Sequence, residues 1–127
     1  MKKAIEGKGL APTIGPYSAG IEVGNLIFTS GQIAMDPHTG ALELKSIESE
    51  TERVMCNLQA VLLAAGLDFN NVVKTSIFLS SMDYFPQVNE VYARYFNAPY
   101  PARETVAVKT LPKRVNVEIS CIAVRKS

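Results

Sequence analysis

Arg103 has the setting that most directly points to chemistry. It follows Pro99-Tyr100-Pro101-Ala102 and opens the run Thr105-Val106, which reads as a strand. Each proline locks φ and biases the residue before it towards extended backbone. The arginine is therefore delivered to a strand entrance on a stiff lead-in. Its guanidinium is always charged and offers a rigid fork that matches a carboxylate. An ordinary surface arginine at a loop–strand junction fits the same residues, and a motif this short does not choose between the two.

The rest of the inventory narrows the chemistry. His38 is the one histidine and stands in a predicted turn beside Pro37, so Ser-His-Asp and Cys-His sites are excluded. No His, Cys and carboxylate cluster has metal-ligand spacing, and no glycine-rich phosphate loop leads into a helix. Neither a metal nor a cofactor is expected. What remains is Arg103, Glu118, the tyrosines, small hydroxyls and backbone groups. Such a set suits a small reaction on a small anion, with the arginine holding a carboxylate and a carboxylate or hydroxyl positioning water.

The elements that must position these groups follow from pattern. Residues 1–20 read as loop, punctuated by Pro12, Gly15, Pro16 and Gly20. Tyr17, on the Gly15-Pro16 corner, is either a packing anchor or a hydroxyl presented to a site. Gly24-Asn25 between Ile21-Glu22-Val23 and Leu26-Ile27-Phe28-Thr29-Ser30 predicts a hairpin with a type II′ turn. A short edge strand is expected over Ala41-Leu42-Glu43-Leu44. A helix is expected over 50–65, with Ser49 and Glu52 as a capping box and Val54, Leu58, Val61, Leu62 and Ala65 as its buried stripe. A strand over 72–80 follows, then a helix over 84–96 capped by Asp83 with Phe85, Val88, Tyr92, Tyr95 and Phe96 buried. Strands over 103–109 and 115–124 close the chain. This predicts one α+β domain over 1–127, with a mixed sheet of about six strands and two helices on one face.

Alternation along the last strand adds a consequence. Val115, Val117, Ile119 and Cys121 share one face, while Ile122 and Val124 lie on the other with Asn116, Glu118 and Ser120. Leu26 and Phe28 likewise oppose Ile27. Two helices cover only one face of such a sheet, so apolar residues on the second face need a partner, and another copy of the chain is the expected one. Glu118 would then lie at or near a subunit interface.

Bulk properties exclude other classes. The 127 residues carry a net charge of +1, so no broad attraction to nucleic acid or to an anionic membrane is implied. The longest apolar runs fall well short of the ~20 residues that span a bilayer. Lys2 and Lys3 are not followed by an apolar h-region, so no signal peptide is expected. Cys56 and Cys121 are isolated and read as small core residues in a reducing compartment. Cytoplasm is the expected location.

The motifs Ile14-Gly15-Pro16-Tyr17-Ser18, Thr29-Ser30-Gly31-Gln32, Val88-Asn89, Phe96 with Pro101-Ala102-Arg103, and Leu111-Pro112 with Val117-Glu118-Ile119 resemble the RidA/YjgF/UK114 family in order and spacing. The resemblance runs from about Ala11 to Arg125. It implies a fold like that of the bacterial chorismate mutases, a homotrimer with a central sheet barrel, and a ligand cleft at each subunit interface. It further implies cofactor-free hydrolysis of the enamines and imines released by pyridoxal-phosphate dehydratases, such as 2-aminoacrylate and 2-iminobutanoate, to 2-oxo acids and ammonia. On this reading Arg103 pairs with the substrate carboxylate and Glu118 orients water or shuttles a proton. Backbone groups near Ser30, Gly31 and Thr105 hold the imine nitrogen and water, and Tyr17 and Asn89 shape the cleft. Thr105 stands where some members carry cysteine, and Glu104 is a charged residue where small ones are common, so it is expected to alter the ligand. Two other functions stay open: a non-catalytic module that binds small carboxylic or keto acids, and, with less support, a ribonuclease or translation inhibitor.

Overall fold

Burial alternates without interruption from Val117 to Val124, and that strand anchors the architecture. A computed structural model describes residues 1–126. The expected 1–127 domain therefore extends to Ser127, outside the described residues. Six strands form one sheet: β1 (Lys3–Ala4), β2 (Gly20–Val23), β3 (Leu26–Thr29), β4 (Val72–Leu79), β5 (Ala102–Ala107) and β6 (Val117–Val124). Their spatial order is β1-β2-β3-β6-β4-β5, with β4 and β5 parallel and every other pair antiparallel. Two helices, α1 (Ile47–Ala64) and α2 (Phe85–Ala93), pack on one face.

The core lies between that face and the helices. Ile27, Ile77, Leu79, Val117, Ile119 and Ala123 are fully buried against Val54, Leu58 and Leu62 of α1 and Val88 of α2. Phe69, Tyr92, Tyr95 and Phe96 close one end as an aromatic cluster, Phe69 edge-on to Tyr95 and Phe96 and Tyr92 tilted against Phe96, with ring centroids 4.6 to 5.3 Å apart. The second face stays open and partly apolar: Val23, Leu26 and Phe28 are each 39% exposed, and Val106 is 44% exposed.

The hairpin forms as predicted. Val23 pairs with Leu26, Gly24 has φ +58°, and Asn25 is not left-handed, which is the type II′ arrangement. Several other expectations shift. β1 is added from the segment read as loop, because β2 offers a free edge to Lys3–Ala4. Residues 41–44 form only an isolated bridge, Met35 to Leu42, and do not join the sheet. α1 begins three residues early, with Ser46 as its cap and Ser49 completing the box. Glu52 instead binds Arg94 and the Tyr95 hydroxyl across the two helices. Gly66, at φ +77°, closes α1 with Gly66 N–H to Leu63 O and Leu67 N–H to Leu62 O, a Schellman pair. Ser81, not Asp83, caps the 3₁₀ turn that leads into α2, and α2 ends at Ala93, leaving Tyr95 and Phe96 beyond it. Cys121 is buried as expected, but Cys56 is exposed on the outer side of α1.

A turn at Pro112–Arg114 precedes β6 and contains two consecutive non-glycine residues at positive φ, Lys113 (54°) and Arg114 (56°). A left-handed residue with a Cβ costs roughly 1–2 kcal/mol, and glycine's extra unfolded-state freedom takes back about 0.5–1 of that. Arg114→Gly is therefore expected to raise stability by about 0.5–1 kcal/mol, read as a higher urea midpoint at unchanged m-value.

Candidate functional site

Register places Arg103 opposite Thr75 on β4, and Thr75 is buried under α2. Arg103 therefore leaves the sheet on the helix side, at an edge the helices do not cover. Its Nη1 donates to Asn89 Oδ1 of α2 at 2.7 Å, and its guanidinium carbon stands 5.1 Å from the Tyr92 ring centroid and 5.4 Å from that of Phe85. Two aromatic faces and one amide thus fix the fork while leaving most of its donors free. Among the described residues no carboxylate pairs with it. The Tyr92 hydroxyl shares a 2.8 Å hydrogen bond with Thr75 Oγ1, and burial raises its pKa above the usual tyrosine value. A cavity of about 460 Å³ opens here, bordered by Asn89, Tyr92, Tyr100, Pro101 and Arg103. Thr105 lies two residues along the same face, and its buried hydroxyl has no hydrogen-bond partner.

Glu118 points the other way. It pairs in register with Phe78 and lies on the open face, half-buried. Gln32 exchanges backbone hydrogen bonds with Ile119 (2.8 and 3.1 Å), which brings Gly31 against the Glu118 side chain. A β-carbon at Gly31 would stand 2.7 Å from Glu118 Cδ and 2.9 Å from Cγ, so only glycine fits with the carboxylate in place. Asn57 holds the following loop by donating to Ile33 O (2.9 Å) and Met35 O (2.8 Å). Ser30 Oγ donates to Ser18 O at 2.6 Å and ties down the Tyr17 corner. Tyr17, Ser30, Gly31 and Glu118 border one cavity of about 510 Å³, with Ile14 and Lys113 on its rim. Burial alone raises the Glu118 pKa above its ordinary 4.5, so the carboxyl holds its proton at higher pH than a free glutamate.

The candidate residues thus fall into two groups. Arg103, Asn89 and Thr105 gather on the helix side of β5; Tyr17, Ser30, Gly31 and Glu118 gather in the other cavity. Arg103 and Glu118 are not neighbours in one protomer. β4 lies between β5, which carries Arg103, and β6, which carries Glu118. The parallel β4–α2–β5 crossover forces this, because β5 must return beside β4 and β6 then fills the other side of β4. Glu104 departs from expectation. It points to the open face, away from Arg103, with Lys74 Nζ at 3.0 Å and the Ser76 hydroxyl on its carboxylate, which holds its pKa below the ordinary range. Sequence reasoning passed over Tyr92, Phe85 and Lys113 as site residues. The sequence pattern places both aromatics in the buried stripe of the second helix, and only the crossover shows that their faces back Arg103.

Gly31→Ala is expected to leave the fold intact and push the flexible Glu118 carboxylate aside. An activity loss of about tenfold or more, with a melting temperature close to that of the unmodified protein, is the result that matches this geometry.

A six-stranded mixed sheet with two helices on one face is a fold this chain shares with solved relatives. The chain matches the family described as Endoribonuclease L-PSP over residues 8–125. A Mus musculus protein named 2-iminobutanoate/2-iminopropanoate deaminase is 42% identical over 125 residues, covering 98% of this chain and 93% of its own. A solved Thermotoga maritima structure is 50% identical with a TM-score of 0.96 and full coverage of both chains. The E. coli TdcF structure with bound serine is 38% identical, with a TM-score of 0.92 over 98% of this chain and 99% of that one. This chain belongs to the RidA/YjgF family.

Proposed function

We propose that this chain hydrolyses reactive 2-imino acids and their enamine tautomers to 2-oxo acids and ammonia, at sites shared between copies of a homotrimer. The observation that carries the reading is the split of the site. One protomer presents a free arginine fork on one surface and a partly desolvated glutamate in a cavity on another, beside a partly apolar sheet face with no cover. Packing that face against a neighbour would supply Arg103 to the neighbour's Glu118. The names of the related deaminases support the same chemistry.

The proposed step needs little beyond positioning, because imines of this type already react with water. Arg103 grips the substrate carboxylate with paired hydrogen bonds, and Asn89 keeps the fork aimed. Glu118, as carboxylate, takes a proton from water while the oxygen attacks the imine carbon. The resulting carbinolamine receives a proton on nitrogen, the carbon–nitrogen bond breaks, and ammonia leaves as the carbonyl forms. Tyr17, Ser30 and Gly31 shape the pocket, and the Thr105 backbone on the exposed sheet edge offers groups for the imine or water. A raised Glu118 pKa suits a group that must both take and return a proton.

The test couples the protein to serine or threonine dehydratase and follows keto-acid release. Acceleration by the unmodified protein, lost in Glu118→Gln, supports the reading; no acceleration overturns it. Because the ionised carboxylate is the base, kcat/KM falls as pH drops through the Glu118 pKa, and the acid limb lies above 4.5. Sedimentation equilibrium showing a folded monomer at micromolar concentration would remove the shared site. One observation favours a second reading, that of a small-acid binding module: the Arg103 fork is complete within a single protomer. That reading predicts saturable keto-acid binding, lost with Arg103→Ala, and no turnover.

A further inference from the structure

The cavity that holds Glu118 has a second charged wall that the proposed reaction leaves unused. Lys113 borders it from the Pro112–Arg114 turn, and among the described residues its ammonium has no ion-pair partner. In particular it does not reach Glu118, so the cavity carries one fixed negative group and one separate positive group. Two observations indicate that Lys113 is held there for a purpose. Lys113 and its neighbour Arg114 are both left-handed without being glycine, and backbone strain of this kind persists where the surroundings impose it and clusters at ligand sites. The cavity, at about 510 Å³, also falls in the range that encloses drug-sized ligands, so a three- or four-carbon acid leaves much of it empty.

We propose that this cavity accepts 2-imino acids bearing a second, distal carboxylate, and that Lys113 is the counter-ion for that group. The proposal rests on the deaminase reading for its reaction and on Lys113 for its specificity. With the α-carboxylate on Arg103 and the imine carbon at Glu118, the far end of the substrate extends along the remaining wall towards Lys113. A lysine suits a distal acid of variable reach, since its ammonium is a point charge on a flexible stem and demands no bidentate geometry. Such substrates arise where an oxidase removes hydride and a proton from an acidic amino acid. Hydrolysis then adds one water and yields the oxo-dicarboxylate and ammonia. Lys113 takes no part in bond making and acts as a specificity-determining residue.

The experiment compares 2-oxoglutarate with 2-oxobutanoate by calorimetry on the full chain in its native assembly, for the unmodified protein and for Lys113→Met, which keeps the stem and removes the charge. At least a tenfold preference for the diacid is expected, falling to threefold or less in Lys113→Met. A parallel assay, with imines generated in place by amino-acid oxidases, should show the same change in the ratio of kcat/KM values, carried by KM. Lys113→Gly separates binding from structure: it relieves the left-handed backbone, so it should melt higher than the unmodified protein and still lose the preference. No preference in the unmodified protein, or an undiminished one in both variants, overturns the proposal. A preference in binding without turnover of any imine would instead sink the deaminase reading and leave the Lys113 site standing.

Discussion

On the proposed deaminase reading, Arg103→Ala is expected to lower kcat/KM for imine hydrolysis by at least about 100-fold and to leave the protein folded. The size follows from the interactions removed. A charge-assisted hydrogen bond contributes about 1.5–3 kcal/mol, and a fork that makes two of them to one carboxylate loses about 3 kcal/mol or more, which is on the order of 100-fold in rate. The fold survives because Arg103 is exposed and gives up only the 2.7 Å bond to Asn89 and its contacts over Phe85 and Tyr92. Arg103→Lys is the sharper variant. It keeps the charge, but an ammonium cannot present the planar fork that Asn89 and the two rings hold in place, so most of the loss should remain. Steady-state assays of both variants, beside melting curves, decide the matter. Activity in Arg103→Ala within threefold of the unmodified protein would take Arg103 out of the site.

Arg103 was legible in the sequence because its setting is local. Two prolines and a β-branched run describe a strand entrance without any knowledge of the rest of the chain. The hairpin at Gly24-Asn25 and the buried stripe of α1 were legible for the same reason, as was the two-faced alternation of β6. What pattern could not supply were choices made across long separations. Ser46-Ser49 and Ser49-Glu52 are both acceptable capping pairs, and the structure decides for the first because Glu52 is engaged by Arg94 and Tyr95 more than 40 residues away. Strand order is of the same kind. Chain proximity puts β5 beside β6, and only the handed crossover through α2 puts β4 between them. That one topological fact separates Arg103 from Glu118, whereas Glu104 faces away from Arg103 simply because successive strand residues alternate faces. The Val72 to Lys74 bulge, which leaves Val73 exposed beside buried Val72, is equally silent in the sequence.

Glu50 is the clearest case of a residue whose role lies across the fold, and its removal carries the largest expected effect on stability. The pattern read it as the start of a helix. In the structure it is fully buried, and its carboxylate accepts hydrogen bonds from Asn116 N (2.7 Å), Asn116 Nδ2 (2.9 Å) and Val117 N (3.0 Å). The first turn of α1, where a carboxylate is favoured by the helix dipole, is thereby tied to the start of β6 across 66 residues. Glu50→Ala strands two backbone donors and opens a void. At about 1–3 kcal/mol for each unsatisfied group, the expected destabilisation is about 3–5 kcal/mol, a large share of the 5–15 kcal/mol typical of a domain. Glu50→Gln keeps the shape and one acceptor oxygen, so it should cost about half as much. Urea unfolding of both variants measures the difference. The same tether leads straight to the site, since Glu118 is the residue after Val117. Glu50→Gln should therefore lower kcat/KM at temperatures where the protein is still fully folded, because β6 no longer enters the sheet with its first residues fixed. Full activity in folded Glu50→Gln would show that β6 is positioned by the sheet alone, through Gln32 and the β4 ladder, and that the helix contributes stability without positioning the glutamate.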